Sequence, residues 1–528
     1  MWWLLLIGAS LLYYLHIKNK MRYFEKIGLP HEPGTFPFGS DISWKMLAGK
    51  FSIVSLAEEV YRRFPKVKVA GYYSTFGDPV VVVNDYDIAK RILIKDFDHF
   101  VDRRPMVTNP KSNKYVVKML TMMRGDQWKA TRHAVSPFFT SGRLRAILPS
   151  VDQVNDELMD YLSNLADLQS VEIKDILLYS MVEVLSMVGC GVKPNIMKNP
   201  GENVLFQEFK KATGAAQNGT AMLKFVLLIF FPKLFYNLNI PLQDPKTMAF
   251  FADIIRKSMK ERKEKKNDLI DCMLDVAKNM EQSMEEADEE AEETDLDKSA
   301  KIHTVGKMVA QFSDEELETL IISQGLLFFQ AGSDTTSSSL SMILYFLSFH
   351  QDVQEKLHRE IRDAIDDNSG DEHLSYATLN SLKYMEAVVK ECLRHWGISF
   401  IERSCNKDYY IPEVNLTIRP GTLVQVPGGS IMMESRFFPD PEKFDPDLHF
   451  GSDVSMNPTT FFSFGQGPRS CIGVRFAWIL MRATLARLLS TYKFLPGPNM
   501  KPTFEIDPKS TSGGIIGGIR VRMEKRRE

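Results

Sequence analysis

Apolar residues recur every three or four positions over 145–165, 171–189, 246–277, 314–346, 351–366, 374–396 and 473–492. That is the period of a helix with one face turned to a core. Two stretches break the rhythm. Residues 67–85 (VKVAGYYSTFGDPVVVVND) set β-branched and aromatic runs on either side of a Gly-Asp-Pro turn, which predicts a β-hairpin. Residues 411–427 (IPEVNLTIRPGTLVQVP) read the same way around Pro420-Gly421 and predict a second hairpin. The expected fold class is therefore mainly α with a minor β region.

Other stretches depart from amphipathic patterning altogether. Residues 2–17 (WWLLLIGASLLYYLHI) carry no Lys or Arg, and Lys18, Lys20, Arg22 and Lys26 follow. The run is slightly short for a ~30 Å hydrocarbon layer, but snorkelling lysines and interfacial tryptophans extend its reach. Residues 1–20 are thus expected to be an N-terminal membrane anchor, and the basic cluster behind it places the body on the cytoplasmic side. A cleaved signal peptide is the rival reading; the missing basic n-region and cleavage site weigh against it. Residues 21–45 include Pro30, Pro33 and Pro37 and predict a stiff connector, with the body spanning 46–524. Residues 221–242 are apolar but broken by Pro232 and Pro241, which suits a loop resting on a membrane surface or a buried helix. Residues 281–297 hold ten acidic residues, and the segment 281–300 is expected to be a solvated, disordered insert.

Composition narrows the function classes. A net charge of −2 gives no basic surplus for nucleic acid. The five cysteines, at 190, 272, 392, 405 and 471, form no CxxC pair, so neither a zinc site nor a disulfide framework is expected. The 26 methionines and 34 phenylalanines suit adaptable, aromatic-lined cavities as well as an ordinary core. Asn218-Gly219-Thr220 and Asn415-Leu416-Thr417 match the glycosylation pattern, which is silent on a cytoplasmic body.

One cysteine stands apart. Cys471 lies in FFSFGQGPRSCIGVRFAWILMRATLARLL, at the start of an amphipathic helix whose N-terminal N–H groups stabilise an anion. Gly467 and Gly473 permit tight backbone geometry and close approach of a flat ligand, and Arg469 is placed to pair with a carboxylate. By itself such a cysteine is a nucleophile, a metal ligand or a buried structural thiol. The complete pattern Phe464-x-x-Gly467-x-Arg469-x-Cys471-x-Gly473 resembles the haem-binding signature of the cytochrome P-450 superfamily at each fixed position.

Further motifs follow in the order that family has them. Trp128 and Arg132, four apart in GDQWKATRHAVSPF, share a helix face. Ser313-x-x-Glu316 forms a capping box for a long helix that carries Ala331-Gly332-Ser333-Asp334-Thr335-Thr336. Glu391 and Arg394 lie at i, i+3 in MEAVVKECLRHW, and DPEKFDPDLHF (440–450) ends near His449. The neighbouring SPFFTSGRL is similar to the animal branch containing drug- and insecticide-metabolising members.

The resemblance, which covers about residues 30–520, implies a cytochrome P-450 fold: a helical haem domain with a small β-rich N-terminal part. It makes Cys471 the thiolate ligand of the iron of haem b, with Phe464 beside the sulfur. It makes Arg469, Trp128 and Arg132 partners of the haem propionates, and Arg403 a further candidate. Asp334 and Thr335 become the acid–alcohol pair that delivers protons to bound dioxygen. Glu391 and Arg394 become structural support, completed by His449 where most relatives have Arg. The expected proline after this helix is missing from HWGISFIERSC, which alters the segment bordering the pocket. Residues 105–122 match the family's variable pocket loop. The implied reaction is NADPH-dependent insertion of one oxygen atom into a lipophilic substrate (xenobiotic, steroid or fatty-acid-like). NADPH is not bound directly; its electrons come through NADPH–cytochrome P-450 reductase, with cytochrome b5 as a second donor. Lys443 and Arg475 are candidates for docking the reductase, and the endoplasmic reticulum membrane is the expected location. Two other activities remain in view: isomerisation or dehydration of a peroxide substrate, and a non-enzymatic haem-thiolate sensor.

Overall fold

A computed structural model describes residues 2–526 except 51, 53–54, 107, 166–168, 215–223, 225–226, 229–230, 276–312, 398–399, 450–459, 509 and 511–512. The acidic run, the Asn218 sequon and part of the 221–242 stretch lie outside the described residues. The rest is mostly helical. The helices that matter for the site are α1 (Trp2–Lys20), α2 (Gly125–Val135), α3 (Ser141–Ser163), α4 (Ile173–Cys190), α5 (Pro245–Lys260), α6 (Asp314–Phe349), α7 (Gln351–Asp367), α8 (Lys383–Trp396) and α9 (Val474–Thr491). The 36-residue α6 crosses the body, packed on α4, α5, α8 and α9. Its N-terminus is closed by the capping box: Glu316 N–H donates to Ser313 Oγ, and Ser313 N–H to Glu316 Oε2.

Two predicted helices are each split. The 246–277 run ends at Lys260 and a new helix begins at 269. Between them Arg262 is buried against Asp268 and Asp271, while the backbone N–H groups of Lys266 and Asn267 donate to Asp271 Oδ2. This local ion and hydrogen-bond cluster satisfies the backbone outside a helix, which the apolar period does not reveal. The 374–396 run breaks at Leu382, where Glu360 of α7 reaches across and accepts the N–H groups of Tyr384 and Met385 (2.7 and 2.8 Å). A carboxylate from another helix caps α8.

The first hairpin forms as expected: β1 (Val69–Tyr73) pairs antiparallel with β2 (Pro79–Val83), Val69 opposite Val83. The second expectation is corrected. Pro420-Gly421 does turn the chain, but the strands on either side join different sheets. Leu416–Ile418 pairs with Tyr409–Ile411, whereas Leu423–Pro427 is buried at all five residues. It lies between β2 and Phe400–Ser404, and burial on both faces outweighs hairpin proximity.

The main core fills the space among α3, α4, α6, α8 and α9. A second lies beneath the sheet with Ile17, Met21 and Phe24, and a third covers its other face. The N-terminal run expected to be an anchor is helical, with Trp2 79% and Trp3 78% exposed. Among the described residues no helix is long and apolar enough to cross a membrane.

Candidate active site

A cavity of about 450 Å³ opens between α6 and the loop before α9. Its wall includes Phe464, Arg469, Cys471 and Gly473 from the loop, Trp128 and Arg132 from α2, and Ala331, Gly332 and Thr335 from α6. Residues more than 340 positions apart in sequence thus meet around one space.

The loop is closed by its own backbone: Cys471 N–H donates to Phe464 O (2.8 Å), and Ser470 N–H to Gly467 O (2.9 Å). Gly467 has φ +72°, and a Cβ there would meet the Leu93 carbonyl oxygen at 1.8 Å. Its close approach is to the Leu93 backbone; the cavity is lined by Gly465 and Gly473 instead. This corrects the expectation that Gly467 meets a flat ligand. The Cys471 side chain is exposed to the cavity. Burial within the fold pushes its thiol up, opposed by the Gly473 N–H and the charges of Arg132 and Arg103.

Arginines dominate one end of the space. Arg103, Arg132, Arg403 and Arg469 all line it. Arg469 is held by Val101 O and Met123 O (both 2.9 Å), with its guanidinium 3.9 Å from the Trp128 ring centroid. Arg132 lies 5.8 Å from the same centroid, so the indole sits against two cations. Arg403 donates to Glu402 O, and its buried Nε has no partner among the described residues. Burial, then repulsion from Arg103, pushes Arg403 and Arg469 down to about 9. The carboxylate next to Arg403 in sequence, Glu402, is taken by a bidentate pair with Arg104 (3.0 and 2.8 Å).

Arg103 was not evident from sequence, yet Asp102-Arg103-Arg104-Pro105 contained the signal. Asp102 and Ser404 form an antiparallel bridge. Period-two alternation then turns Arg104 and Glu402 to one side, and Arg103 and Arg403 to the cavity.

The acid–alcohol pair is divided. Thr335 faces the cavity and donates its hydroxyl to Ala331 O (2.7 Å). Asp334 does not line the cavity; it pairs with Lys174 of α4 at 3.4 Å. Ser333 and Ser339 also bond back to carbonyls one turn earlier, and α6 runs unbroken through this stretch. The absent Cβ of Gly332 accommodates Leu185, which a side chain would meet at 2.9 Å.

Glu391, Arg394 and His449 come together away from the cavity. The buried Glu391–Arg394 pair is bidentate, with both contacts at 2.8 Å, and His449 Nε2 lies 2.7 Å from Glu391 Oε2. His395 adds a contact at 3.2 Å that sequence reasoning missed. Burial works to raise the Glu391 carboxyl, but Arg394, His395 and His449 outweigh it and hold it well below the usual range.

The sequence model of the cytochrome P450 family matches residues 69–513, which contain every one of these groups. The chain belongs to the cytochrome P450 family. It is 28% identical to cytochrome P450 9e2 of Blattella germanica, over 96% of this chain and 94% of that protein. Cytochrome P450 9c1 of Drosophila melanogaster is 30% identical over 90% of this chain and 89% of its own length. The rat protein cytochrome P450 3A9 is 29% identical over 94% and 91%. Membership makes this P450 a haem-thiolate monooxygenase, a class that holds haem iron on a cysteine thiolate. The site fits that group. A thiol faces the cavity, the walls carry Phe139, Phe328 and Leu120, and the four guanidiniums have among the described residues one nearby carboxylate, Asp102 at 3.8 Å from Arg469, which leaves surplus positive charge for anions.

Proposed function

We propose that this P450 uses electrons from NADPH, relayed by a flavoprotein reductase, to insert one atom of dioxygen into a lipophilic substrate. The convergence of Cys471, Thr335 and the arginine cluster on one cavity carries this reading. Cys471 would hold the iron of haem b, and Arg103, Arg132, Arg403 and Arg469 with Trp128 would hold its propionates. The haem supplies oxygen activation, favoured by electron donation from the thiolate. Phe464, in the same loop as Cys471, would pack beside the sulfur. Thr335 holds a proton donor at the cavity wall, and Asp334 supplies protons from the side of α6 turned towards Lys174. Leu120, Leu327 and Phe328 exclude water and suit an apolar substrate. Peroxide rearrangement would not need a hydroxyl placed at Thr335.

The exposed Arg475, two residues after the loop's last glycine, and the exposed Lys443 are the proposed contacts for an acidic reductase face or cytochrome b5. Attachment to the endoplasmic reticulum membrane is supported by one apolar surface. Trp2, Trp3, Leu4 and Leu5 of α1 are exposed, as are Phe231, Leu234 and Leu238. Tyr13 and Phe231 both approach Phe76, with ring centroids 6.3 Å apart in each pair. A surface of this kind seeks lipid.

The test is reconstitution with NADPH–cytochrome P450 reductase in vesicles, supplying ¹⁸O₂ and a panel of steroids, fatty acids and xenobiotics. One ¹⁸O atom per product and NADPH-dependent turnover are expected. Product formation from a hydroperoxide without NADPH, and none with it, would overturn the reading.

A further inference from the structure

Four guanidiniums line the cavity, and among the described residues one carboxylate lies within ion-pair distance of any of them. That carboxylate is Asp102, 3.8 Å from Arg469 Nη2 and only 6% exposed. Its Oδ1 accepts the Gly125 N–H at the start of α2 (2.8 Å). Its Oδ2 accepts Arg124 Nε (3.2 Å) and Asn406 Nδ2 (2.9 Å). Its backbone N–H donates to Asn406 Oδ1 (3.3 Å), and its carbonyl accepts the Ser404 N–H (2.7 Å). Asp102 therefore joins three pieces of chain that are far apart in sequence: the start of α2, the segment 404–406, and the cysteine loop through Arg469.

These joins bear on every cavity arginine. Arg124, the residue before α2, makes no side-chain capping bond, so the acceptor at that helix end comes from Asp102. The helix it holds carries Trp128 and Arg132. Arg103 follows Asp102 in the chain, and Arg403 precedes Ser404, which is bonded to the Asp102 carbonyl. Arg469 meets its charge directly. The two propionates of a haem would offset two of the four guanidiniums, and Asp102 offsets a third. The outer partner, Arg124, has 46% of its side chain exposed, so Asp102 stands between a solvent-facing cation and a cation of the cavity wall.

We propose that Asp102 is a positioning residue that sets how readily the haem iron is reduced, through its own charge and its hold on Arg469 and α2. It touches neither substrate nor iron. The proposal rests on the haem-thiolate reading, because the iron concerned is held in this cavity. Reduction from ferric to ferrous adds one electron to the site. Guanidiniums in a poorly solvated wall favour that added charge, and a fixed carboxylate among them opposes it. Asp102 thus restrains a site that its arginines would otherwise make easy to reduce.

The test uses the full-length, haem-loaded protein and its Asp102→Asn, Arg124→Gln and Asn406→Ala variants. The ferric/ferrous midpoint of each is measured by spectroelectrochemical titration without substrate, and the carbon monoxide spectrum is recorded alongside. Asp102→Asn removes a negative charge and should move the midpoint to more positive potential. Arg124→Gln removes the cation on the solvent side of Asp102 and should move it the other way, by less, because that cation is screened by water and salt. Asn406→Ala removes hydrogen bonds to Asp102 but no charge, and should leave the midpoint nearly unchanged. A purely structural link would loosen the same wall in all three variants and move the midpoints in one direction. An Asp102→Asn midpoint that is unchanged or more negative would overturn the proposal, as would an Asn406→Ala shift as large as that of Asp102→Asn. If Asp102→Asn fails to fold or to hold haem, Arg124→Gln decides, and an unchanged or more positive midpoint there overturns the proposal. A parent protein that binds haem without a thiolate-type carbon monoxide band would instead overturn the functional reading.

Discussion

Two glutamates show how one residue type is pushed in opposite directions by its surroundings. Glu391 is surrounded by cations, and its charged form is favoured despite burial. Glu58, on the helix Leu56–Arg63, is partly buried, and accepts the N–H groups of Gly429 (3.0 Å) and Ser430 (2.8 Å) as well as the Ser430 hydroxyl. Burial is the larger effect there and raises the carboxyl from its ordinary 4.5 to about 7. The signs of their pH dependence follow. Glu58, raised on folding, contributes stability that is full below about pH 4.3 and is lost as pH climbs through about 7. Glu391, depressed on folding, contributes stability that is present above about pH 4.3 and lost only in stronger acid. Unfolding free energies measured from pH 5 to 8 should therefore separate Glu58→Gln and Glu391→Gln from the parent differently. The advantage of the parent over Glu58→Gln should shrink by up to about 3 kcal/mol across that range. Its advantage over Glu391→Gln should stay level at roughly 3–5 kcal/mol, the cost of leaving a buried Arg394 unpaired. A level Glu58 difference would show that its carboxyl is ordinary.

At the scale of elements, the cysteine loop distinguishes glycines that the sequence treats alike. Gly467 has φ +72° and no room for a Cβ beside the Leu93 carbonyl. Gly473 has φ −86°, and its nearest Cβ contact would be Phe139 at an ordinary 3.6 Å. Gly467→Ala should cost roughly 2–4 kcal/mol and lower haem incorporation, whereas Gly473→Ala should fold with nearly parental stability. Differential scanning fluorimetry with haem quantitation distinguishes them, and equal tolerance would contradict the packing described.

The same contrast explains what was legible beforehand. Helix period marked α6 and α9, and local motifs marked Cys471, Arg469, Trp128, Arg132 and Thr335, because each element advertises its own face. The missed features are cross-chain. Glu360 capping α8, Leu423–Pro427 joining β2, and His395 closing on Glu391 depend on partners distant in sequence or on a turn of helix that the Glu-x-x-Arg pattern does not include. Asp334 was readable as an acid beside Thr335. Its partner Lys174 was not, because only the packing of α4 on α6 brings the two together.

In the whole molecule, α6 and the loop before α9 enclose a space in which positive charge accumulates without enough protein carboxylates to balance it. Four guanidiniums at one wall are costly unless anions enter, so ligand binding and stability are coupled there. The thiol of Cys471 faces the same space from the loop, and Thr335 faces it from α6. These features converge on one bond, between the Cys471 sulfur and the haem iron. The direct measurement is the carbon monoxide spectrum of the dithionite-reduced, haem-loaded protein, compared with Cys471→His. The parent should give a red-shifted, thiolate-type Soret band. Cys471→His should lose that band while keeping haem in the cavity. A folded, haem-bound parent without the band, or a Cys471→His protein that keeps it, would show that Cys471 does not ligate the iron.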